Sequence, residues 1–198
     1  MPRIIDHGQR RREVVAVTRG LIVEGGIEAA TMREIARQAG FANGALKHFF
    51  DSKDDIIQAT YQESLGAMTT FIDKGLDSKR GMEALRAIAH AAMPSDEERI
   101  TAGRVLLSFW ERAVNNARMR ESYEEHLRHW RGALARYVAE GREDGDIRTA
   151  TPDEQLVDEL VLLTAGANVM VLVAPTLSTP ELQKAHVESF LARIARED

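Results

Sequence analysis

Residues 31–53 read TMREIARQAG FANGALKHFF DSK, and the way this stretch is punctuated decides the fold. Thr31 followed by Glu34 fits a capping box, in which the threonine hydroxyl accepts from a backbone N–H and the glutamate reaches back to the N–H of the cap. A helix therefore starts at Thr31. Met32, Ile35, Ala36 and Ala39 recur at steps of three and four, which places them on one face, and Gly40 sits where a left-handed residue ends the helix. After a short turn, Leu46, Phe49 and Phe50 form a second inward stripe, while Asn43, Gly44, Lys47 and His48 fall on the opposite side of the same helix. Two helices joined by a glycine turn, the second with a small, polar, basic face, meet the requirements of a helix-turn-helix that lays a helix in the major groove. Gly44 fits this reading, because a glycine inside a short helix costs about 1 kcal/mol relative to alanine and calls for a close approach to another surface. The same spacing also fits an ordinary pair of amphipathic helices with a solvated charged face, so the rest of the chain must decide.

The formal net charge of −5 does not suit a nucleic-acid binder until it is divided along the chain. Residues 1–53 hold nine Lys and Arg against six Asp and Glu, a balance of +3, and the remainder holds 17 against 25, a balance of −8. Such asymmetry suggests a phosphate-facing module joined to a body that repels DNA. There are no cysteines, which excludes disulfides, thiolate metal sites and cysteine nucleophiles. No basic segment followed by an apolar one opens the sequence, so a secretory signal is not expected and a cytoplasmic location is.

Elsewhere the chain alternates helical patterns with cap signals. Val14, Val17 and Leu21 share a face of a first helix over residues 9–24, which Gly25 and Gly26 stop, and Arg10, Arg11 and Arg12 at its N-terminus oppose the helix dipole and are free to meet phosphate. Ser52–Asp55 and Ser95–Glu98 read as further capping boxes, and the first opens a long helix linking two halves. Thr151-Pro152 and Thr179-Pro180 each read as a cap followed by a proline at the first helical position. A strongly charged helix is expected over about residues 119–141, and no stretch reads as a strand. Residues 160–174, LVLLTAGANVMVLVA, are uncharged over about 15 residues, short of the roughly 20 needed to span a bilayer, so no membrane segment is expected. A helix apolar all round must be covered on every side: one side is expected to face its own core and the other a second copy of the chain. Asn168 reads as a register mark or a satisfied core amide. The expected fold is all-α with about nine helices: a helix-turn-helix domain of three helices over residues 1–52, then a larger helical domain over residues 53–198 for ligand binding and dimerisation.

On these residues the chain resembles the TetR family of one-component bacterial transcriptional regulators. The family's helix-turn-helix reads approximately T-x-x-x-I-A-x-x-A-G-V-S-x-x-x-L-Y-x-x-F-x-x-K, and Thr31, Ile35, Ala36, Ala39, Gly40, Leu46, Phe50 and Lys53 occupy the matching positions. The C-terminal body, including SFWERAVNNARMRESYEEHLRHWRGAL, resembles the BetI-type branch. Four positions depart from the pattern. Phe41 replaces a smaller aliphatic residue, Ala42 replaces the serine that caps the recognition helix, and Lys47 stands where a phosphate-bonding tyrosine is usual. Phe49, where a phosphate-binding His or Tyr is common, reads better as a core aromatic.

The resemblance implies a homodimer on a pseudopalindromic double-stranded DNA operator, with recognition helices about 34 Å apart, released when a small-molecule effector shifts the dimer to a wider-spaced state. The DNA-facing set is then Arg10, Arg11, Thr31, Arg33, Ala42, Asn43, Gly44, Ala45, Lys47, His48 and Lys53, with Asn43 and His48 the candidates for base edges. Family topology turns Tyr61, Met68, His90, Phe109, Trp110, Tyr123, His126, Trp130 and Met170 toward a ligand pocket. The dimer face is expected at Leu160, Leu163, Ala167 and Val171, with Val187, Phe190 and Leu191 from the last helix. His126 and His129 share a face but lack a thiolate or evident carboxylate partner, so neither a metal nor a cofactor is expected. No Gly-x-Ser-x-Gly elbow, phosphate loop, dinucleotide fingerprint or His-Glu-x-x-His occurs, which argues against an enzyme. The alternative is an all-helical dimeric interaction protein without sequence-specific DNA binding.

Overall fold

Capping residues set most of the helix boundaries. A computed structural model describes residues 7–197 apart from 43 and 77. Its elements are α1 (His7–Ala29), α2 (Met32–Gln38), a 3-10 turn (Ala45–His48), α3 (Lys53–Gly75), α4 (Gly81–Ala92), α5 (Glu97–Asn115), α6 (Ala117–Glu143), α7 (Asp153–Val173) and α8 (Pro180–Ile194). The described residues contain no strand, and the nine expected helices become eight α-helices and one 3-10 turn. α1 runs past its expected stop, although Gly26 interrupts its geometry at φ 70° and ψ −173°.

The caps test the sequence reading one by one. Thr31 Oγ1 accepts from Glu34 N at 3.1 Å, but the Glu34 carboxylate turns forward to Arg37 and Gln38, so the returning half of the expected box is absent. Ser52 Oγ accepts from Asp55 N at 3.2 Å and donates to the Asp55 carboxylate at 2.8 Å. The third cap is shifted: Asp96, not Ser95, accepts from Arg99 N at 2.9 Å, because the carboxylate is the stronger acceptor for a first-turn N–H. Thr151 is occupied by Thr149 and Arg142, so α7 starts without a side-chain cap behind Pro152. Thr179 caps α8 as expected, with Pro180 at its first position.

Two compact units result. The first holds the described residues up to Ala67 together with Arg104–Arg120, and the second holds Met68–Gly103 and the described residues from Glu121 onward. A boundary after residue 52 therefore cuts through the first unit. Polar contacts contribute: Asp54 accepts from Asn116 at 2.9 Å and pairs with Arg112 at 3.4 Å, and Asp55 accepts from Arg118 at 3.0 Å. These bonds hold the first turn of α3 to the junction of α5 and α6.

In the second unit α7 packs against α4 and α8. Leu85, Ile88, Met93, Leu134, Val138, Leu156, Leu160 and Leu191 are buried there, and full burial of such a side chain stabilises by about 1.5–3 kcal/mol. Asn168 is a satisfied core amide, donating to Thr164 O at 2.9 Å and Ala92 O at 3.3 Å. α7 is longer than its uncharged stretch, and by length and composition alone it could cross a bilayer, although Asp153, Glu154, Asp158 and Glu159 fall in its first two turns. One side of it instead buries Leu156, Leu160, Thr164, Ala167 and Val171 in this core.

Candidate nucleic-acid interface and ligand site

The turn after α2 is a Schellman motif. Phe41 N donates to Ala36 O at 2.8 Å and Gly40 N to Arg37 O at 3.3 Å, with Gly40 left-handed at φ 70°. The recognition segment that follows is a single 3-10 turn, bonded from Lys47 N to Gly44 O at 3.2 Å and from Phe49 N to Leu46 O at 3.0 Å. Gly44 does not lie inside a helix, as the spacing suggested. It enters the turn left-handed at φ 86°, and an added Cβ there meets nothing within 4 Å. Backbone conformation, not crowding, is what requires glycine.

This geometry separates the two faces. Leu46 and Phe50 are buried at 2% and 3%, while Ala42, Gly44, Lys47 and His48 are exposed and Ala45 is half-buried. Neither Lys47 nor His48 makes a side-chain hydrogen bond or ion pair among the described residues. Arg33 is also exposed. Asn43 lies outside the described residues.

Four of the residues expected at DNA have partners within the chain. Arg10 pairs with Glu13 at 2.7 Å and lies over the Phe41 ring at 5.3 Å. Arg11 donates to Phe49 O and lies over Phe50. Thr31 is committed to its cap, and Lys53 Nζ donates to Ile27 O at 2.8 Å. Burial pushes the Lys53 pKa below its ordinary value, as suits an ammonium folded onto backbone. Phe49 meets Phe41 edge-on at 5.2 Å and is half-buried, which makes it a packing aromatic. Sequence reading missed this cage of three phenylalanines and two arginines. Its signal is the pairing of Arg10-Arg11 with three aromatics in one helix-turn-helix.

Comparison with known proteins agrees with this geometry. Residues 14–60 match the model for bacterial regulatory proteins of the tetR family, and residues 81–196, more than half of the chain, match that for the C-terminal domain of BetI-type transcriptional repressors. The chain belongs to the TetR family. Its TetR-family relatives include the HTH-type transcriptional repressor KstR2 of Rhodococcus jostii, 30% identical over 71% of this chain and 72% of its own. The HTH-type transcriptional regulator PksA of Bacillus subtilis is 26% identical over 100% of this chain and 97% of its own. Among solved structures, a transcriptional regulator from Saccharomonospora viridis in complex with choline superposes with a TM-score of 0.86 at 20% identity, covering 93% of this chain and 96% of that one. The protein is thus a DNA-binding transcriptional regulator, and its named relatives are regulators or repressors.

The residues expected at a ligand pocket of this TetR-family chain are divided between the two units. Tyr61 and Phe109 stack on each other at 4.0 Å in the first unit, both buried, and Trp110 belongs to that unit as well. Met68 and Trp130 pack against the core of the second unit, while the rings of Tyr123 and His126 lie 6.2 Å apart. His129 Nδ1 meets Glu125 O at 2.9 Å. Met170 faces outward at 43% exposure, so it does not line an interior pocket. Of the nine, only His90 lines the cleft between α4 and α8, whose volume is about 830 Å³.

The expected dimer residues also need correction. Leu160, Ala167, Val171, Val187, Phe190 and Leu191 are buried within the protomer, and Leu163 packs against the same core, which leaves them little or no surface for a partner. The apolar residues facing outward are instead Leu162, Met170 and Val173 on α7, Leu177 beyond it, and Leu182 on α8. Leu162, Val173 and Leu177 are 70%, 63% and 74% exposed.

Proposed function

We propose that this TetR-family protein is a cytoplasmic, non-catalytic homodimeric repressor that occupies a pseudopalindromic operator and leaves it when a small molecule binds the second unit. The observation that carries the reading is the recognition turn, where Lys47 and His48 stand exposed with no side-chain hydrogen bond or ion pair among the described residues, while Leu46 and Phe50 anchor the same turn in the core. Lys47 supplies a point charge to phosphate, His48 a donor to a base edge or phosphate, and Ala42 and Ala45 offer methyl groups to thymine. Arg33 adds a second phosphate contact at the exposed side of α2.

Dimerisation uses the outward apolar row of α7 and α8. Leu162, Met170, Val173, Leu177 and Leu182 amount to an apolar patch of the kind that marks an association surface. An isologous contact through this row joins two copies of the second unit. Choline, bound by a protein of the same fold, supports an effector of small organic size. Sequences enriched from random DNA by the purified protein test the reading: two inverted half-sites about one helical turn apart are expected, and recovery of no common sequence overturns it.

A further inference from the structure

The first turn of α3 holds three other parts of its own unit. Lys53 Nζ donates at 2.8 Å to the carbonyl of Ile27, which lies beyond the kink at Gly26 and four residues before the Thr31 cap of α2. Asp54 accepts from Asn116 Nδ2 at 2.9 Å and pairs with Arg112 of α5 at 3.4 Å. Asp55 accepts from Arg118 Nη1, in the first turn of α6, at 3.0 Å. The recognition turn leads directly into these residues, since Phe50, its buried anchor, stands three positions before Lys53. All belong to the first unit.

Asn116 is the pivot of this cluster. It is the residue between α5 and α6, and both ends of its amide are used. Oδ1 accepts from Met119 N at 3.3 Å and so caps α6, while Nδ2 donates to Asp54. Capping explains an asparagine here, but it needs only the oxygen. The nitrogen spent on a carboxylate of another helix fixes the amide from both sides. Asn116 and Asp54 are half-buried, and Met119 beside them is 1% exposed, so the junction itself is anchored in apolar surroundings. In the same way the helix dipole accounts for acids in the first turn of α3, yet not for their partners on α5 and α6.

We infer that Asp54 and Asn116 are positioning residues for DNA recognition: their bond fixes the head of α3 against the α5–α6 junction, and with it the turn that presents Lys47 and His48. The inference rests on the reading that this turn grips an operator. Positioning and charge then predict opposite signs. Asp54 is an anion close to the recognition turn, so if its charge alone mattered, removing it would strengthen binding to every DNA. If it positions the turn, removing it weakens the operator selectively, because a misaligned turn still attracts phosphate but no longer matches base edges.

Binding of the full-length protein to its enriched operator and to a scrambled duplex of equal length, at one salt concentration, tests it. Asp54→Ala is expected to weaken the operator about fivefold to tenfold, while the scrambled duplex is bound as well as before or better. Asn116→Ser leaves the net charge and the α6 cap in place but is too short to reach Asp54, and it is expected to weaken the operator about threefold with no change on the scrambled duplex. The exchange Asp54→Asn/Asn116→Asp reverses donor and acceptor, keeps the cap and leaves the net charge unaltered. It is expected to return operator affinity to within about twofold of wild type. Thermal melts verify that each variant is folded at the assay temperature. Operator affinity unchanged or raised in Asp54→Ala, equal losses on both duplexes, or an exchange variant that binds no better than Asp54→Ala overturns the proposal. Wild-type protein that does not prefer the operator overturns it together with the operator reading, whereas a wild-type preference that Asp54→Ala retains in full overturns the positioning role alone.

Discussion

Arg11 donates to the carbonyl of Phe49 and lies over the ring of Phe50, 4.1 Å from its centroid. The guanidinium thus ties the start of α1 to the end of the recognition turn, and it acts as a positioning residue. Arg11→Ala removes a bond and a cation–π interaction worth about 1 kcal/mol together at an exposed site, so DNA affinity is expected to fall about fivefold. Arg11→Lys separates positioning from charge. An ammonium cannot reproduce the planar fork, so lysine is expected to behave like alanine in a DNA titration, and full rescue by lysine assigns Arg11 to phosphate instead.

Lys47 and His48 differ in what they read. Lys47→Ala is expected to weaken binding to every sequence alike and to reduce the slope of log affinity against log salt by about one for each phosphate that Lys47 neutralises. His48→Ala is expected to alter which sequences are preferred. Affinities for a panel of operator variants at several salt concentrations separate the two.

At Gly44 the cost is conformational. Left-handed geometry at φ 86° disfavours any Cβ, so Gly44→Ala is expected to destabilise by about 1–2 kcal/mol although no atom obstructs it. Gly44→Asn, which tolerates this region better, is expected to lose less. Thermal melts of the two variants decide, and equal losses contradict the conformational explanation.

His126 couples stability to pH. Burial, with help from His129, lowers its pKa from the ordinary 6.5. The unfolded chain then binds more protons than the folded one at acid pH, so this contribution is intact above about pH 6.5 and is lost as pH falls toward the depressed folded value. His126→Gln is expected to shrink the drop in melting temperature between pH 7.5 and pH 5.5. An unchanged drop shows that other groups cause it.

The two faces of α7 give opposite expectations. Leu162→Glu is expected to convert dimer to monomer by light scattering with little change in the fold of the protomer, because the side chain is 70% exposed. Leu160→Ala is expected to cost about 2–5 kcal/mol through a core cavity, since this leucine is only 1% exposed. A dimer unchanged by Leu162→Glu places the interface elsewhere.

These contrasts show what a sequence can reveal. The cap at Thr31 and the stop at Gly40 are legible because both depend on residues within one or two turns. Gly44 is not, since helical spacing carries no sign of a left-handed residue ahead of a 3-10 turn. α7 is apolar all round, so its composition holds no phase to tell Leu160 from Leu162. Tyr61 and Phe109 read as pocket residues by size and chemistry, and that they stack on each other is a tertiary fact with no local signature. The cleft escapes sequence reading for the same reason. Glu188 is held there by Arg86 and His90, which lie about a hundred positions away in the chain.

The central claim is that the exposed side of the recognition turn grips DNA. Fluorescence anisotropy of the enriched operator with wild-type protein and with the Lys47→Ala/His48→Ala double variant, at about 50–200 mM salt, tests it most directly. Specific wild-type binding that weakens steeply with salt, and a double variant that loses most of that affinity at every salt concentration, is the expected result. Equal affinity of the two proteins for the operator contradicts it.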